Sequence, residues 1–166
     1  MSKDSHLTTI KDFTLQDNVY TNSSSSDKPT GLWYQINNSW EDWCKYNMPQ
    51  WLGESNRGAY KINLEIDKTN VLVINTLEKF DSFRDIYCSK HPYRPDADSF
   101  INWERVAQQY DGIEITHYLH ERRLYKNCEW YYGWDIASGC IWNTNIVKVV
   151  GEITEIKKEE SLWEEH

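Results

Sequence analysis

The stretch between positions 28 and 52 is the part of the chain richest in tryptophan. It holds Trp33, Trp40, Trp43 and Trp51, four of the nine tryptophans in 166 residues. Each indole needs space and a partner for its N–H group, so four in one short stretch exceed what a small core usually holds. Two interpretations follow. The stretch is either an aromatic corner of the core or the wall of a pocket that stacks a flat ligand.

The composition indicates one acidic domain with an aromatic core. A chain of 166 residues fits a single domain that buries about two-thirds of its unfolded surface. Aromatic residues make up 14% of the chain, so rings are expected to supply much of the core. The formal net charge of −8 disfavours a role in coating duplex nucleic acid, but it leaves open a ligand that binds by base stacking.

The cysteines and the start of the chain point to a reduced, cytoplasmic protein. The four cysteines lie far apart without a CxxC pair, so we predict buried thiols and no metal site. The first residues lack the pattern of a signal peptide, and no apolar run approaches the length of a membrane span. We therefore predict no association with a membrane.

Hydrophobic periodicity predicts strands and helices that do not alternate regularly. The predicted elements, in chain order, are a short strand near 7–10, a mobile loop at 21–30, a strand at 31–36, a helix at 39–47, paired strands at 60–66 and 71–74, a helix after Thr76, a helix capped by Ser99, a strand at 112–115, and closing strands at 140–143 and 146–150. This order predicts an α+β fold with a mixed or antiparallel sheet and two or three short helices.

The domain is predicted to span residues 1–150. Residues 151–166 form an acidic C-terminal tail, expected to be a helix or disordered, that would dock a protein partner or aid solubility. Within the domain, Ser39 followed by Asp42 resembles a capping box at the start of the first helix. Thr76 is the expected N-cap of the second helix.

Two further groups of residues carry possible chemistry. Glu114 alternates with Ile113 and Ile115 in a short strand, so its carboxylate should point away from both, towards solvent or towards a cleft. The segment 122–132 combines basic and aromatic residues. It either packs its rings on the sheet from a surface loop, the interpretation we favour, or holds a phosphate or a base.

Several short motifs resemble the ADP-ribosyltransferase-like superfamily, in particular its phage and toxin members. They are an N-terminal strand containing His6, the segment KPTGLWYQI at 28–36, YDGIEI at 110–115 and CIWNTNIVKVV at 140–150. The resemblance spans most of residues 6–150. It implies an ADP-ribosyltransferase-like fold that uses NAD as a substrate and requires no metal.

The resemblance also implies roles for individual residues. His6 would hydrogen-bond the adenosine ribose, and Gly31 would let the backbone approach the ligand. Trp33 or Tyr34 would stack on nicotinamide. Glu114 would hold the nicotinamide ribose and stabilise the cationic transition state.

The sequence departs from the family pattern at the acid. Many members place a catalytic glutamate near the closing strands, where this chain has Asp135 and Ser138 but no glutamate, and an STS motif is missing. Asp135 is therefore a second candidate for the catalytic acid beside Glu114, and Ser138 is a candidate for binding NAD.

The function implied by the resemblance is an NAD-dependent ADP-ribosyltransferase, in a toxin, phage or defence setting, that modifies a macromolecular acceptor. Whether the acceptor is protein or nucleic acid stays open. The alternative is a non-catalytic module whose aromatic groove binds a partner protein or a nucleobase. A carboxylate of Glu114 or Asp135 facing the groove would favour the enzyme. We expect Gly31, Trp33 and Tyr34 to face this groove, and Trp40 and Trp43 to pack inward.

Overall fold

The computed structural model describes residues 3–53, 58–91, 93–94 and 98–157. The strands are β1 Asp4–Thr8, β2 Leu32–Ile36, β3 Tyr60–Ile66, β4 Val71–Ile74, β5 Cys88–Ser89, β6 Phe100–Ile101, β7 Gly112–Ile115, β8 Ser138–Ile141, β9 Val147–Val149 and β10 Thr154–Glu155. The α-helices are α1 Ser39–Asn47, α2 Leu77–Tyr87 and α3 Trp103–Ala107, and 3-10 turns cover Pro49–Trp51, His120–Arg122, Glu129–Trp134 and Thr144–Ile146. The predicted α+β fold, with a mixed or antiparallel sheet and a few short helices, is confirmed; the sheet is large and mostly antiparallel.

One large sheet organises the chain. Its strands lie in the order β10-β3-β1-β2-β8-β7-β4, and β9 also pairs with β3. All of these pairs are antiparallel except β4 with β7, which are parallel. Strands β5 and β6 form a separate two-stranded sheet.

The predicted pairing of residues 60–66 with 71–74 is wrong. Strand β4 pairs with β7 instead, and α2 and α3 lie in the connection between these two parallel strands. The continuous apolar sequence of β4 is typical of strands buried in this way. A local hairpin was the simplest interpretation of two neighbouring strands, but long-range pairing prevailed.

The position of β3 and β4 shows that the sheet curls. Five inter-strand steps separate them, about 24 Å in a flat sheet. The residues 67–70 that connect them reach only about 17 Å when extended. The sheet must therefore bend back on itself, which brings the connection across its inner face.

Buried side chains cover both faces of the sheet. The larger core lies beneath α2 and α3 and is strongly aromatic, as the composition predicted; its large rings include Phe80, Phe83, Trp103, Trp130 and Trp142. The second core fills the inside of the curl with residues such as Leu32, Ile62, Leu64 and Ile141.

The starts of α1 and α2 illustrate two kinds of capping. The hydroxyl of Thr76 accepts a hydrogen bond from the Lys79 N–H at 3.1 Å, as predicted. The predicted capping box of α1 is wrong, because the Ser39 hydroxyl donates to the Ala137 carbonyl. Instead, the Gln35 side-chain oxygen on β2 accepts from the N–H groups of Trp40 and Glu41 at 3.0 and 3.1 Å.

The helix predicted from Ser99 begins four residues later, at Trp103. Residues Phe100–Ile101 are held as β6 by pairing with Cys88–Ser89. Asn102 then becomes the N-cap, its side-chain oxygen accepting from the Arg105 N–H at 3.1 Å.

The structure describes all of the predicted loop at 21–30 but only part of the acidic tail at 151–166. Residues 21–30 contain no helix or strand, and Asn22 exchanges two hydrogen bonds with the Thr30 backbone; their mobility stays a prediction. The sheet includes Thr154 and Glu155, so it extends past residue 150. Residues 158–166 of the acidic tail lie outside the described part of the chain.

Of the helices that the structure describes, none has both the length and the apolar sequence needed to cross a bilayer.

Candidate functional site

A cleft of about 590 Å³ opens where β1 and β2 separate. It is bounded by these strands, by α1 and the turn after it, and by the segment leading into β8. Its lining residues are His6, Leu7, Lys28, Trp33, Tyr34, Gln35, Trp40, Trp43, Trp51, Gly133, Trp134, Asp135, Ile136 and Ser138. The volume and the aromatic lining are typical of a small-molecule site.

His6 lies at the point where the sheet opens. Pairing of β1 with β2 covers only Asp4 and Ser5, whereas pairing of β1 with β3 continues to Thr8. In the gap, Nδ1 of His6 lies 2.7 Å from the Trp33 carbonyl oxygen. The imidazole thus provides a hydrogen-bond partner for the Trp33 carbonyl, which lies beyond the end of the β1–β2 pairing.

The hydrogen bond fixes the tautomer of His6. A carbonyl oxygen only accepts, so Nδ1 carries a proton. Burial lowers the pKa of His6, although the bond to Trp33 acts in the opposite direction. The ring is therefore neutral at pH 7, and Nε2 is left as an acceptor with no hydrogen-bond partner among the described residues. Such a nitrogen can accept from a ribose hydroxyl, the role predicted for His6.

Trp33 and Tyr34 point to opposite faces of β2, as the period of a strand requires. The Trp33 ring is half-buried and meets Trp134 edge-on at a centroid distance of 5.1 Å; the Lys28 ammonium lies 5.7 Å from its centroid. The Tyr34 side chain is buried, and its hydroxyl donates to Oε1 of Glu114 at 2.9 Å. Both residues line the cleft, as predicted, but the Tyr34 side chain is buried and bound to Glu114, so Trp33 is the ring of the two that is accessible to a ligand.

Glu114 belongs to a buried network on the Tyr34 face. The Lys68 ammonium lies 2.7 Å from Oε1 of Glu114 and 2.8 Å from Oδ2 of Asp4. Burial alone would lower the pKa of Lys68, but hydrogen bonds to both carboxylates and their charges more than offset it and raise the pKa. Burial, reinforced by Glu114, raises the pKa of Tyr34 far above its usual range.

The network joins four parts of the curled sheet: β1, β2, β7 and the connection 67–70. Glu114 points away from Ile113 and Ile115, as the sequence predicted, but the side that it faces is the second core rather than solvent or the cleft. The structure thus places Glu114 behind Tyr34 and outside the cleft lining.

Two glycines explain why β8 can pack closely against its neighbours. A Cβ at Gly139 would overlap the Tyr34 ring, which lies directly on this residue. A Cβ at Gly31 would lie 2.5 Å from the Ile141 carbonyl oxygen. The prediction that Gly31 faces the cleft is wrong, because its close approach is to β8 and it is not among the lining residues.

Asp135 and Ser138 do line the cleft, together with His6 and Trp33. Asp135 ends a 3-10 turn with φ of 58°, an uncommon conformation that aspartate tolerates better than most residues. Its Oδ1 lies 3.5 Å from Nη2 of Arg123, a long contact between partly exposed groups. Asp135 is therefore the candidate carboxylate that the fold brings into the cleft.

The prediction that Trp40 and Trp43 pack inward is wrong. Both are half-buried and line the cleft, as does Trp51 in the turn after α1. Within α1 it is Cys44 that is fully buried. The excess of tryptophan in residues 28–52 was the correct signal, but helical spacing could not show which side of α1 faces the protein.

Sequence reasoning missed Gln35, Trp51, Trp134 and Lys28 as lining residues. Trp51 lay inside the tryptophan-rich stretch and could have been proposed from it. Lys28 also lies in this stretch, five residues before Trp33, whereas Trp134 is distant in sequence and only folding brings it to Trp33. In the basic-aromatic segment, Tyr125 and Tyr132 are exposed and Arg122 forms two 2.8 Å hydrogen bonds to Asp81, but Trp130 and Tyr131 are buried in the larger core, so the surface-loop interpretation describes only part of the segment.

Within the described ranges, no three His, Cys, Asp or Glu side chains are placed to share a metal ion. Cys88 and His91 have the spacing of a CxxH pair in the sequence, yet no other described residue joins them in such a group.

Comparisons of the chain with protein-family models, with curated proteins and with solved structures found no match.

Proposed function

We propose that the protein binds NAD in the cleft and transfers its ADP-ribose group to a macromolecular acceptor. One observation carries the proposal: a single cleft combines the half-buried ring of Trp33, the neutral imidazole of His6 and the carboxylate of Asp135. These are the groups that the chemistry requires, namely a stacking surface, an acceptor for a ribose hydroxyl and a negative charge.

The residues suggest how the parts of NAD would lie. The flat nicotinamide ring would stack on Trp33, and a ribose hydroxyl would donate to Nε2 of His6. Ser138 offers a hydroxyl whose present bond, to the Ile136 carbonyl at 3.4 Å, is long and easily exchanged. Lys28, exposed beside Trp33, would neutralise the diphosphate.

In the reaction, the bond between C1′ of the ribose and the nicotinamide nitrogen breaks. The bonding electron pair goes to that nitrogen, so nicotinamide leaves as a neutral molecule and positive charge develops on the ribose. The acceptor forms the new bond to C1′ with its lone pair, and its proton goes to the Asp135 carboxylate. Asp135 would stabilise the ribose cation and act as the base, whereas Glu114 on the opposite face would only hold Tyr34 in place.

The test is the release of nicotinamide from labelled NAD in the presence of cell extract. We expect turnover by the wild type and a loss of about 100-fold or more in Asp135→Asn, because a positioned acid or base typically contributes that much. Glu129→Gln, an exposed carboxylate in the same 3-10 turn, is the matched control and should keep full activity. No nicotinamide release and no labelled product from the wild type would refute the proposal.

A second candidate function is a non-catalytic module that binds a nucleobase or a partner in the same groove. Two observations favour it: Glu114 is excluded from the cleft, and Asp135 is partly engaged by Arg123. This function predicts that NAD quenches tryptophan fluorescence saturably while nicotinamide release stays at background. Turnover that depends on Asp135 would eliminate it.

A further inference from the structure

The three tryptophans of the α1 region differ from those of the core. Neither hydrophobic core includes Trp40, Trp43 or Trp51. In the core, the indole N–H of Trp103 donates to the Ser26 carbonyl at 3.2 Å and that of Trp142 to the Tyr110 carbonyl at 2.6 Å, whereas the buried N–H of Trp130 has no partner among the described residues. The indole N–H groups of Trp40 and Trp43 have no such partner in the part of the chain that the structure describes.

The three rings converge on one side of the cleft. Trp40 and Trp51 lie nearly parallel, at 16° and a centroid distance of 6.5 Å, and Trp43 lies 5.9 Å from Trp51. Gly58 packs directly against Trp40, since a Cβ at Gly58 would lie 2.5 Å from its ring. Among the described residues no ring contact joins this group to the pair of Trp33 and Trp134, so the cleft has two separate aromatic surfaces.

The fold holds this aromatic surface in place without a ligand. The Gln35 amide, buried at the base of α1, donates to Ser5 and Glu41 and accepts from two N–H groups of the helix. Glu41 also pairs with Lys61 at 2.8 Å. Because these bonds use all the donors and acceptors of Gln35, they fix the start of α1 and with it the position of Trp40 and Trp43.

We infer that Trp40, Trp43 and Trp51 form a second subsite of the cleft that binds a nucleobase. A base offers the flat face that the indoles can stack on and the ring nitrogens or oxygens that two unpartnered indole N–H groups can donate to. The base has two possible sources: the adenine of NAD, in which case the inference rests on the proposed function, or a base of a single-stranded nucleic-acid acceptor.

The first experiment measures the binding of AMP and of nicotinamide mononucleotide by calorimetry. Trp43→Leu should weaken AMP binding about 10-fold, within the range expected for the loss of one stacked base, and leave nicotinamide mononucleotide unchanged. Trp43→Phe should stay within about 3-fold of the wild type because it keeps a stacking ring. Tyr46→Leu, an exposed ring on the same helix, is the matched control, and urea unfolding verifies that each variant is folded.

The second experiment separates the two sources. If adenine of NAD occupies the subsite, Trp43→Leu weakens NAD and AMP together. If an acceptor base occupies it, the variant weakens a ten-nucleotide single strand while NAD binding is unchanged. The inference is overturned if neither AMP nor the oligonucleotide binds the wild type, or if both bind Trp43→Leu as tightly as the wild type. It is also overturned if binding of tetramethylammonium, a cation that indole rings can hold, depends on Trp43 while binding of AMP and the oligonucleotide does not.

Nicotinamide release distinguishes this inference from the proposed function. If the protein binds AMP through Trp43 but releases no nicotinamide, the nucleobase subsite is supported and the transferase proposal is refuted. If the wild type and Trp43→Leu release nicotinamide equally well and bind AMP equally tightly, the transferase proposal is supported and the nucleobase subsite is refuted.

Discussion

The two faces of β2 at Trp33 and Tyr34 serve opposite purposes, although these residues are neighbours in sequence. On the Trp33 face, Trp33 and Asp135 are half-buried, and the Asp135 carboxylate makes one long contact, to Arg123, among the described residues. On the Tyr34 face, Glu114 is buried and bound at short distances by Tyr34 and Lys68. The difference shows that burial of a carboxylate in a strand does not by itself indicate a catalytic role. Here the closed face stabilises the fold and the open face is available for binding.

The largest effect should come from breaking the closed face at Glu114. Glu114→Ala leaves the Tyr34 hydroxyl without its acceptor and Lys68 with one carboxylate fewer, so we expect a loss of about 3 kcal/mol in the free energy of unfolding. Urea denaturation measures it. If Glu114→Ala abolishes nicotinamide release while its stability matches that of the wild type, Glu114 acts in catalysis and the comparison fails.

A smaller loss is expected from a methyl group added beneath Tyr34. Gly139→Ala forces the buried ring off β8, which should cost about 2 kcal/mol of the free energy of unfolding. Gly133→Ala on the cleft side is the matched control: its Cβ would meet Lys28 at an ordinary contact distance of 3.8 Å, so stability should change by less than about 0.5 kcal/mol. Equal effects of the two substitutions would show that the faces do not differ in packing.

His6 lies where β1 and β2 separate, and its contribution to the free energy of unfolding should depend on pH. Burial lowers its pKa in the folded protein, so below about pH 6.5 the unfolded chain binds more protons than the folded one. Stability contributed by His6 is therefore complete above that pH and declines as the pH falls through the window towards the lowered pKa. Urea denaturation at pH 7.5 and 5.5 should show a larger decrease for the wild type than for His6→Asn. An identical pH dependence would mean that the folded state does not resist protonation of this imidazole.

The smallest effect on stability is expected at Asp135. Among the described residues, the ion pair that Asp135→Asn weakens is the 3.5 Å contact with Arg123, between partly exposed groups, and asparagine tolerates the positive φ. The free energy of unfolding should change by less than about 0.5 kcal/mol in urea denaturation. A loss as large as that of Glu114→Ala would show that Asp135 is structural as well, and would remove the contrast between the faces.

Local features were predictable from the sequence where nothing distant competes with them. The Thr76 cap, the strand from Tyr60 to Ile66 and the orientation of Glu114 opposite its isoleucine neighbours all follow from local geometry. The cap of α1 was not predictable, because the groups that bind its N-terminus come from β2 and, through Ser39, from Ala137. The helix expected from Ser99 failed for the same reason, since β6 pairs with residues of another segment.

The candidate site was predictable in part. The tryptophan-rich stretch and the motif-based residues His6, Trp33, Asp135 and Ser138 all reach one cleft. The cleft also needs Trp134, whose approach to Trp33 depends on the order of strands across the curled sheet. Motif spacing could not choose between Glu114 and Asp135, because spacing does not show which core covers each face.

The sequence by itself determined the α+β composition, the aromatic character of the core and the period that sends Trp33 and Tyr34 to opposite sides. These depend on residue type and on a local repeat of two residues per strand. Only the tertiary structure decided which side became a cleft and which a sealed network. The curl of the sheet brings Lys68 between Asp4 and Glu114, and the separation of β1 from β2 opens the surface beside His6. Both result from long-range strand pairing, which a local pattern does not specify.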